Sequence, residues 1–130
     1  MTKFKKFAAA IAATAAVAIT SAVAFAVDEM HWYNITTAFG TKSFNDDADA
    51  KYMYYNTRPS LPGSVRLTVK GDGLPVGGTE GTNFPSQVAR APFRITTVNG
   101  ATYTATVEAQ GYPASGYLVV KSSDSPNLNF

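Results

Sequence analysis

"FRITTVNGATYTATVEAQG", residues 93–111, is the stretch whose reading decides the fold. Two segments rich in β-branched and aromatic residues flank Asn99-Gly100, a dipeptide strongly favoured in tight β-turns. The register follows from which faces agree. A two-residue turn at Asn99-Gly100 sets Ile95 against Thr104 and Phe93 against Thr106, so an apolar face meets threonines. A three-residue loop, Val98-Asn99-Gly100, sets Ile95 against Tyr103 and Phe93 against Ala105, and both apolar faces coincide. A slip of one residue moves every side chain to the other face. The residues therefore predict a hairpin with the longer loop and with Gly100 in a left-handed bulge.

Outward from this stretch the pattern stays that of strands. "SVRLTVK" (64–70) alternates Val65, Leu67 and Val69 with Ser64, Arg66, Thr68 and Lys70, the period of a half-buried strand. "MHWYNITTAF" (30–39) reads as a first strand, "KYMYYNT" (51–57) as a short strand apolar on both faces, and "GYLVVK" (116–121) as the last. "GTKSFNDDADA" (40–50) reads as loop, and "RPSLPG" (58–63) as a turn whose prolines exclude a central strand. Residues 71–91 hold five glycines and two prolines and predict a long loop with room for a short edge strand. Residues 122–130 read as a polar tail. The expectation is an all-β domain of five to six strands, a small antiparallel β-sandwich or a partly open barrel.

The first residues have a different character. "MTKFKK" places Lys3, Lys5 and Lys6 before "FAAAIAATAAVAITSAVAFA", which carries no charge. A basic start, an apolar run and small residues before a cleavage point mark a secretory signal peptide. Ala24 and Ala26 occupy the two small-residue positions, so residues 1–26 are expected to be removed and the mature protein to begin at Val27. Cleavage after Ala24 is the second choice. Residues 7–27 are also just long enough to span a bilayer as an uncleaved anchor, but their alanine content favours the signal peptide. N-terminal sequencing of exported material should return Val27; an intact Met1 on membrane-bound protein would establish the anchor instead.

Removal of the signal changes the electrostatics. Three lysines leave and no acid does, so the 11 basic and 9 acidic residues of the whole chain become 8 and 9, a formal charge of −1. No basic stripe remains for nucleic acid. Residues 27–130 suffice for a single secreted β-domain with one modest core. The chain has no cysteine, which excludes disulfides, thiolate zinc sites and a cysteine nucleophile.

In outline the chain resembles short exported proteins of Gram-positive bacteria that have no assigned function. The likeness rests on the signal peptide, on about a hundred cysteine-free β-rich residues, and on a late Tyr…Ala-x-Gly…Leu-x-x-x-x-Ser region. Here that region is "YTATVEAQGYPASGYLVVKSS". The aromatic-acidic C-terminal ending associated with such proteins is absent. The resemblance implies export and a β fold, and no chemistry.

Candidate sites are few. In "NDDADAKYMYYNT" (45–57), Asn45, Asp47 and Asp49 alternate like the first ligands of a calcium loop. The glycine and glutamate that an EF-hand needs next are replaced by Ala50 and Asn56, so the plainer expectation is a solvated acidic turn. Trp32, Tyr33, Tyr52, Tyr54 and Tyr55 are candidates for a stacking surface, with core packing the competing use of each. His31 is the one histidine, and no nucleophile–base motif supports it as catalytic. "GLPVGGTEG" (73–81) lacks the lysine and spacing of a phosphate loop. Arg90 in "SQVARAPF" (86–93) suits the exposed loop of a protease inhibitor. "NIT" (34–36) is a glycosylation sequon that matters only in a eukaryote, whereas the lysine-rich start looks bacterial.

These residues lead to the expectation of a secreted, non-enzymatic β-domain that binds outside the cell or at the cell envelope. Its expected partner is an extracellular protein or glycan, with no cofactor, no nucleic acid, and membrane contact only through the signal peptide before cleavage. The alternative is a secreted effector, either a bacteriocin-like antagonist or an inhibitor of an extracellular protease.

Overall fold

The computed structural model describes residues 28–74 and 78–128. The predicted signal peptide, with its cleavage positions Ala24, Ala26 and Val27, lies outside them. The described residues form eight strands and no helix: β1 (Asp28–Ile35), β2 (Thr41–Asp47), β3 (Tyr52–Thr57), β4 (Val65–Lys70), β5 (Thr79–Phe84), β6 (Phe93–Thr96), β7 (Thr102–Ala109) and β8 (Ala114–Ser123). They build two four-stranded antiparallel sheets, ordered β1-β8-β3-β6 and β2-β7-β4-β5. The sheets share one core and do not close into a barrel. Tyr33, Met53, Tyr55, Ile95 and Leu118 enter that core from the first sheet; Val65, Leu67, Tyr103 and Val107 enter from the second.

Period-two alternation produces this layering. In β4, Val65, Leu67 and Val69 are fully buried, whereas Arg66 and Lys70 are exposed. In β7, Tyr103, Ala105, Val107 and Ala109 point inward. Large and small residues meet across the ladder, Val69 opposite Ala105 and Val65 opposite Ala109, which lets the core fill without overlap.

The strand count exceeds the expected five to six. Residues 41–47 were expected to be loop, yet they form β2, at the edge of the second sheet. Its composition hid it: only Phe44 and Asp46 turn inward, and the outward residues are polar because they meet solvent. β5 forms the opposite edge of that sheet, inside the glycine-rich stretch.

The predicted hairpin is not formed. Gly100 does take positive φ, +91°. But β6 belongs to the first sheet and β7 to the second. Ile95 pairs with Met53, and Tyr103 pairs with Asp46. Asn99-Gly100 thus turns an arch from one sheet to the other. Facing apolar surfaces are required of partners across a core as much as of partners within a sheet, so matching faces could not separate the two. Among the eight described strands, only β4 and β5 are consecutive strands of the same sheet.

A second arch, residues 48–51, carries β2 into β3 beside the first. Their backbones satisfy one another: Ala48 N–H donates to the Ala101 carbonyl at 2.9 Å, Gly100 N–H to the Ala48 carbonyl at 2.7 Å, and Thr97 N–H to the Lys51 carbonyl at 2.7 Å. Polar groups that leave both ladders at this end of the molecule thereby keep their hydrogen bonds.

Candidate functional site

Alternation divides β1 into two sets. Tyr33 and Ile35 face the core, while Met30 and Trp32 face solvent. In β8, Leu118 and Val120 face the core and Tyr117 faces solvent. The register sets Trp32 directly opposite Tyr117 and Met30 opposite Val119. The Trp32 and Tyr117 rings lie 5.1 Å apart between centroids, tilted by 54°, within the range of a favourable aromatic pair. Trp32 is 53% exposed and Tyr117 50%. The outer face of the first sheet therefore carries a half-solvated aromatic pair extended by Met30.

Two grooves flank that pair. One, of about 340 Å³, is lined by Asn56, Thr57, Arg58, Arg90, Tyr117 and Val119. The other, of about 490 Å³, is lined by Trp32, Arg58, Gln87, Ser115 and Tyr117 among others. Arg58 and Tyr117 border both. Among the described residues, none that lines either groove is acidic. Arg58 is exposed and makes no ion pair among the described residues. The face combines ring surfaces, amide and hydroxyl groups and an unpaired cation, which suits a polar ligand with apolar faces.

The remaining tyrosines of the candidate set lie elsewhere. Tyr33 is buried and its hydroxyl shares a 2.6 Å hydrogen bond with Thr57 Oγ1. Burial pushes its phenol above the ordinary value, opposed in part by that bond. Tyr55 is fully buried; burial first, then the neighbouring Asp46 and Tyr103, push its phenol far above the ordinary value. Both are neutral core residues. Tyr52 and Tyr54 lie on the outer face of β3, yet the chain after β8 covers them. Tyr54 donates its hydroxyl to the Ser125 carbonyl, Lys51 N–H donates to Asp124 Oδ1, and Arg94 lies over the Tyr52 ring while donating to the Pro126 carbonyl. A strand apolar on both faces thus lies between the core and a covering segment, and tyrosine suits it because the ring is buried while the hydroxyl finds an acceptor.

Two of the calcium candidates are engaged across the ladder. Asn45 and Asp47 point outward from β2 and accept hydrogen bonds from Thr104 and Thr102 across the ladder, at 2.8 and 2.6 Å. Asp49 lies in the following arch, where its backbone N–H donates to Ser122 Oγ. The aspartate between them, Asp46, turns inward to His31. His31 Nε2 lies 2.8 and 3.0 Å from the two Asp46 oxygens, and its ring stacks on Phe44 at 4.6 Å. Arg90 is tied down rather than presented: its guanidinium donates to Thr82 Oγ1 and lies over the Phe84 ring, and its carbonyl accepts from Asn56.

Tyr117, Arg58 and Asp46 were not singled out by the sequence. Tyr117 had a signal, since "GYLVVK" is apolar on both faces, but only the β1–β8 register shows that its outer face adjoins Trp32. Compared with protein-family models, with curated proteins and with solved structures, the chain matches none.

Proposed function

We propose that this is an exported, non-enzymatic β-domain that acts by binding outside the cell or at the cell envelope, and that it binds through the outer face of the first sheet. The observation that carries this reading is the Trp32–Tyr117 pair, half exposed and set between two grooves bordered by Arg58. Large aromatic side chains left together in water mark contact surfaces. Tryptophan and tyrosine beside arginine are also the residues that dominate binding energies. The rings offer flat apolar surfaces to a sugar, and the Asn56, Gln87 and Arg58 side chains offer donors to its hydroxyls, so a glycan of the envelope is the preferred ligand.

The chain has a single tryptophan, so tryptophan emission, excited selectively at the red edge, reports on Trp32 alone. Titration with solubilised bacterial cell-wall polysaccharide is expected to change that emission saturably. Trp32→Ala and Tyr117→Ala, read by co-sedimentation with insoluble cell walls, are each expected to weaken binding by about 2 kcal/mol, roughly 30-fold. Wild-type sedimentation that both variants retain in full would rule this face out. The inhibitor alternative gains nothing from Arg90, whose guanidinium and carbonyl are both engaged within the domain.

A further inference from the structure

We propose that Glu29, His31 and Asp46 form a binding site for a first-row divalent transition-metal ion, with zinc the best match, that clips the two sheets together along one open edge. β1 and β2 are the edge strands of their respective sheets, and the His31–Asp46 contact bridges them. One ligand atom from each of Glu29, His31 and Asp46 lies within 4.8 Å of the other two. An imidazole nitrogen with two carboxylate oxygens suits zinc and its first-row neighbours.

The geometry needs little adjustment. In a tetrahedron with bonds of about 2.1 Å, neighbouring ligand atoms are about 3.4 Å apart. His31 Nε2 and the nearer Asp46 oxygen, now 2.8 Å apart, would open by about half an ångström to admit the ion. Glu29, on the same face of β1 as His31, would exchange its present contact for the ion and close the remaining gap. The His31 ring is already aimed, because it stacks nearly parallel on Phe44 with 12° between planes. The Asp46 side chain is only 6% exposed, so its carboxylate is held in place by burial. Glu29 and His31 are half-buried, which leaves the fourth position to water. Calcium is a poorer match, since it takes six to eight oxygens and this site supplies one nitrogen and two carboxylates.

The ion takes the Nε2 lone pair. From an imidazolium, one proton is released to solvent for each ion bound. From a neutral ring, the hydrogen moves to Nδ1 and none is released. This site is independent of the proposed binding surface, because His31 and Trp32 project from opposite faces of β1.

The chain has one histidine, so the test can be made on a single assigned ring. Untagged protein is titrated with zinc chloride and followed by long-range proton–nitrogen NMR of the imidazole and by thermal melting. Zinc is expected to shift the His31 Nε2 resonance and to raise Tm, and the same concentration of calcium chloride is expected to do neither. Glu29→Gln keeps the His31–Asp46 contact while removing a ligand charge. It is expected to weaken zinc binding at least about ten-fold, the smaller loss seen even when an outer partner of a metal ligand is removed. An Nε2 resonance that zinc leaves unmoved overturns the proposal, as does Glu29→Gln protein that binds zinc as tightly as wild type, or a calcium response equal to that of zinc.

Discussion

Replacing Tyr103 by alanine is expected to destabilise the protein by about 3–5 kcal/mol, a large share of the roughly 5–15 kcal/mol that typically holds a domain folded. Tyr103 is fully buried in β7 and is among the largest core side chains. Its ring packs against Gly71, where any β-carbon would overlap it, so the turn after β4 is shaped around this one side chain. Its hydroxyl also joins two loops: it donates to the Asp72 carbonyl and accepts from Val98 N–H at 2.8 Å. Alanine would leave a ring-sized cavity and strand both backbone groups. Phenylalanine keeps the ring and separates the two effects. Tyr103→Phe should cost about 1–3 kcal/mol, the loss expected when buried partners are left unsatisfied. Urea unfolding measures both changes, with an unchanged slope showing that stability and not compactness has moved. A Tyr103→Phe protein as stable as wild type would show that the hydroxyl bridge contributes nothing.

Much of the fold is legible in the residues, and the reasons for the gaps are physical. β4 could be read at once because one face is buried and the other solvated, so Val65, Leu67 and Val69 alternate with polar neighbours. β3 and β8 could be placed but not oriented, since both lie inside the first sheet and carry apolar residues on both faces. β2 stayed hidden because an edge strand needs few apolar residues, and its polar face uses Asn45 and Asp47 to bond threonines of β7. Periodicity reports which residues are inside, and is silent on which sheet they come from.

The candidate site shows the same boundary. Trp32 was nameable from its type, but Tyr117 joins it only through pairing between strands about 85 residues apart, a separation that local pattern does not reach. The acidic run drew attention to Asp47 and Asp49 as ligands, whereas the alternation of β2 turns Asp46 alone toward His31. On a strand Asn45 and Asp47 share the outward face but stand about 6.6 Å apart along the backbone, and each is bonded to a threonine of β7.

Ile95→Ala is expected to cost about 2–5 kcal/mol, since Ile95 is almost fully buried and the truncation leaves a cavity between the sheets. That loss alone does not distinguish a hairpin from an arch, because either arrangement puts Ile95 in the core. Backbone NMR does. In the arch, Ile95 lies beside Met53 within the first sheet and Tyr103 beside Asp46 within the second. Directly paired residues have Cα atoms about 4.5–5.5 Å apart, whereas facing sheets stand about 10 Å apart. Cross-strand backbone contacts are therefore expected between residues 53 and 95 and between 46 and 103, and none between 95 and 103. The arch also fixes the protection of its turn: Gly100 N–H donates to Ala48 and Thr97 N–H to Lys51, so both amides should exchange slowly although they lie outside the strands. In a hairpin closed on itself neither amide would have its partner in residues 48–51. Strong contacts between 95 and 103, with rapid exchange at 97 and 100, would restore the hairpin and require the two sheets to be redrawn.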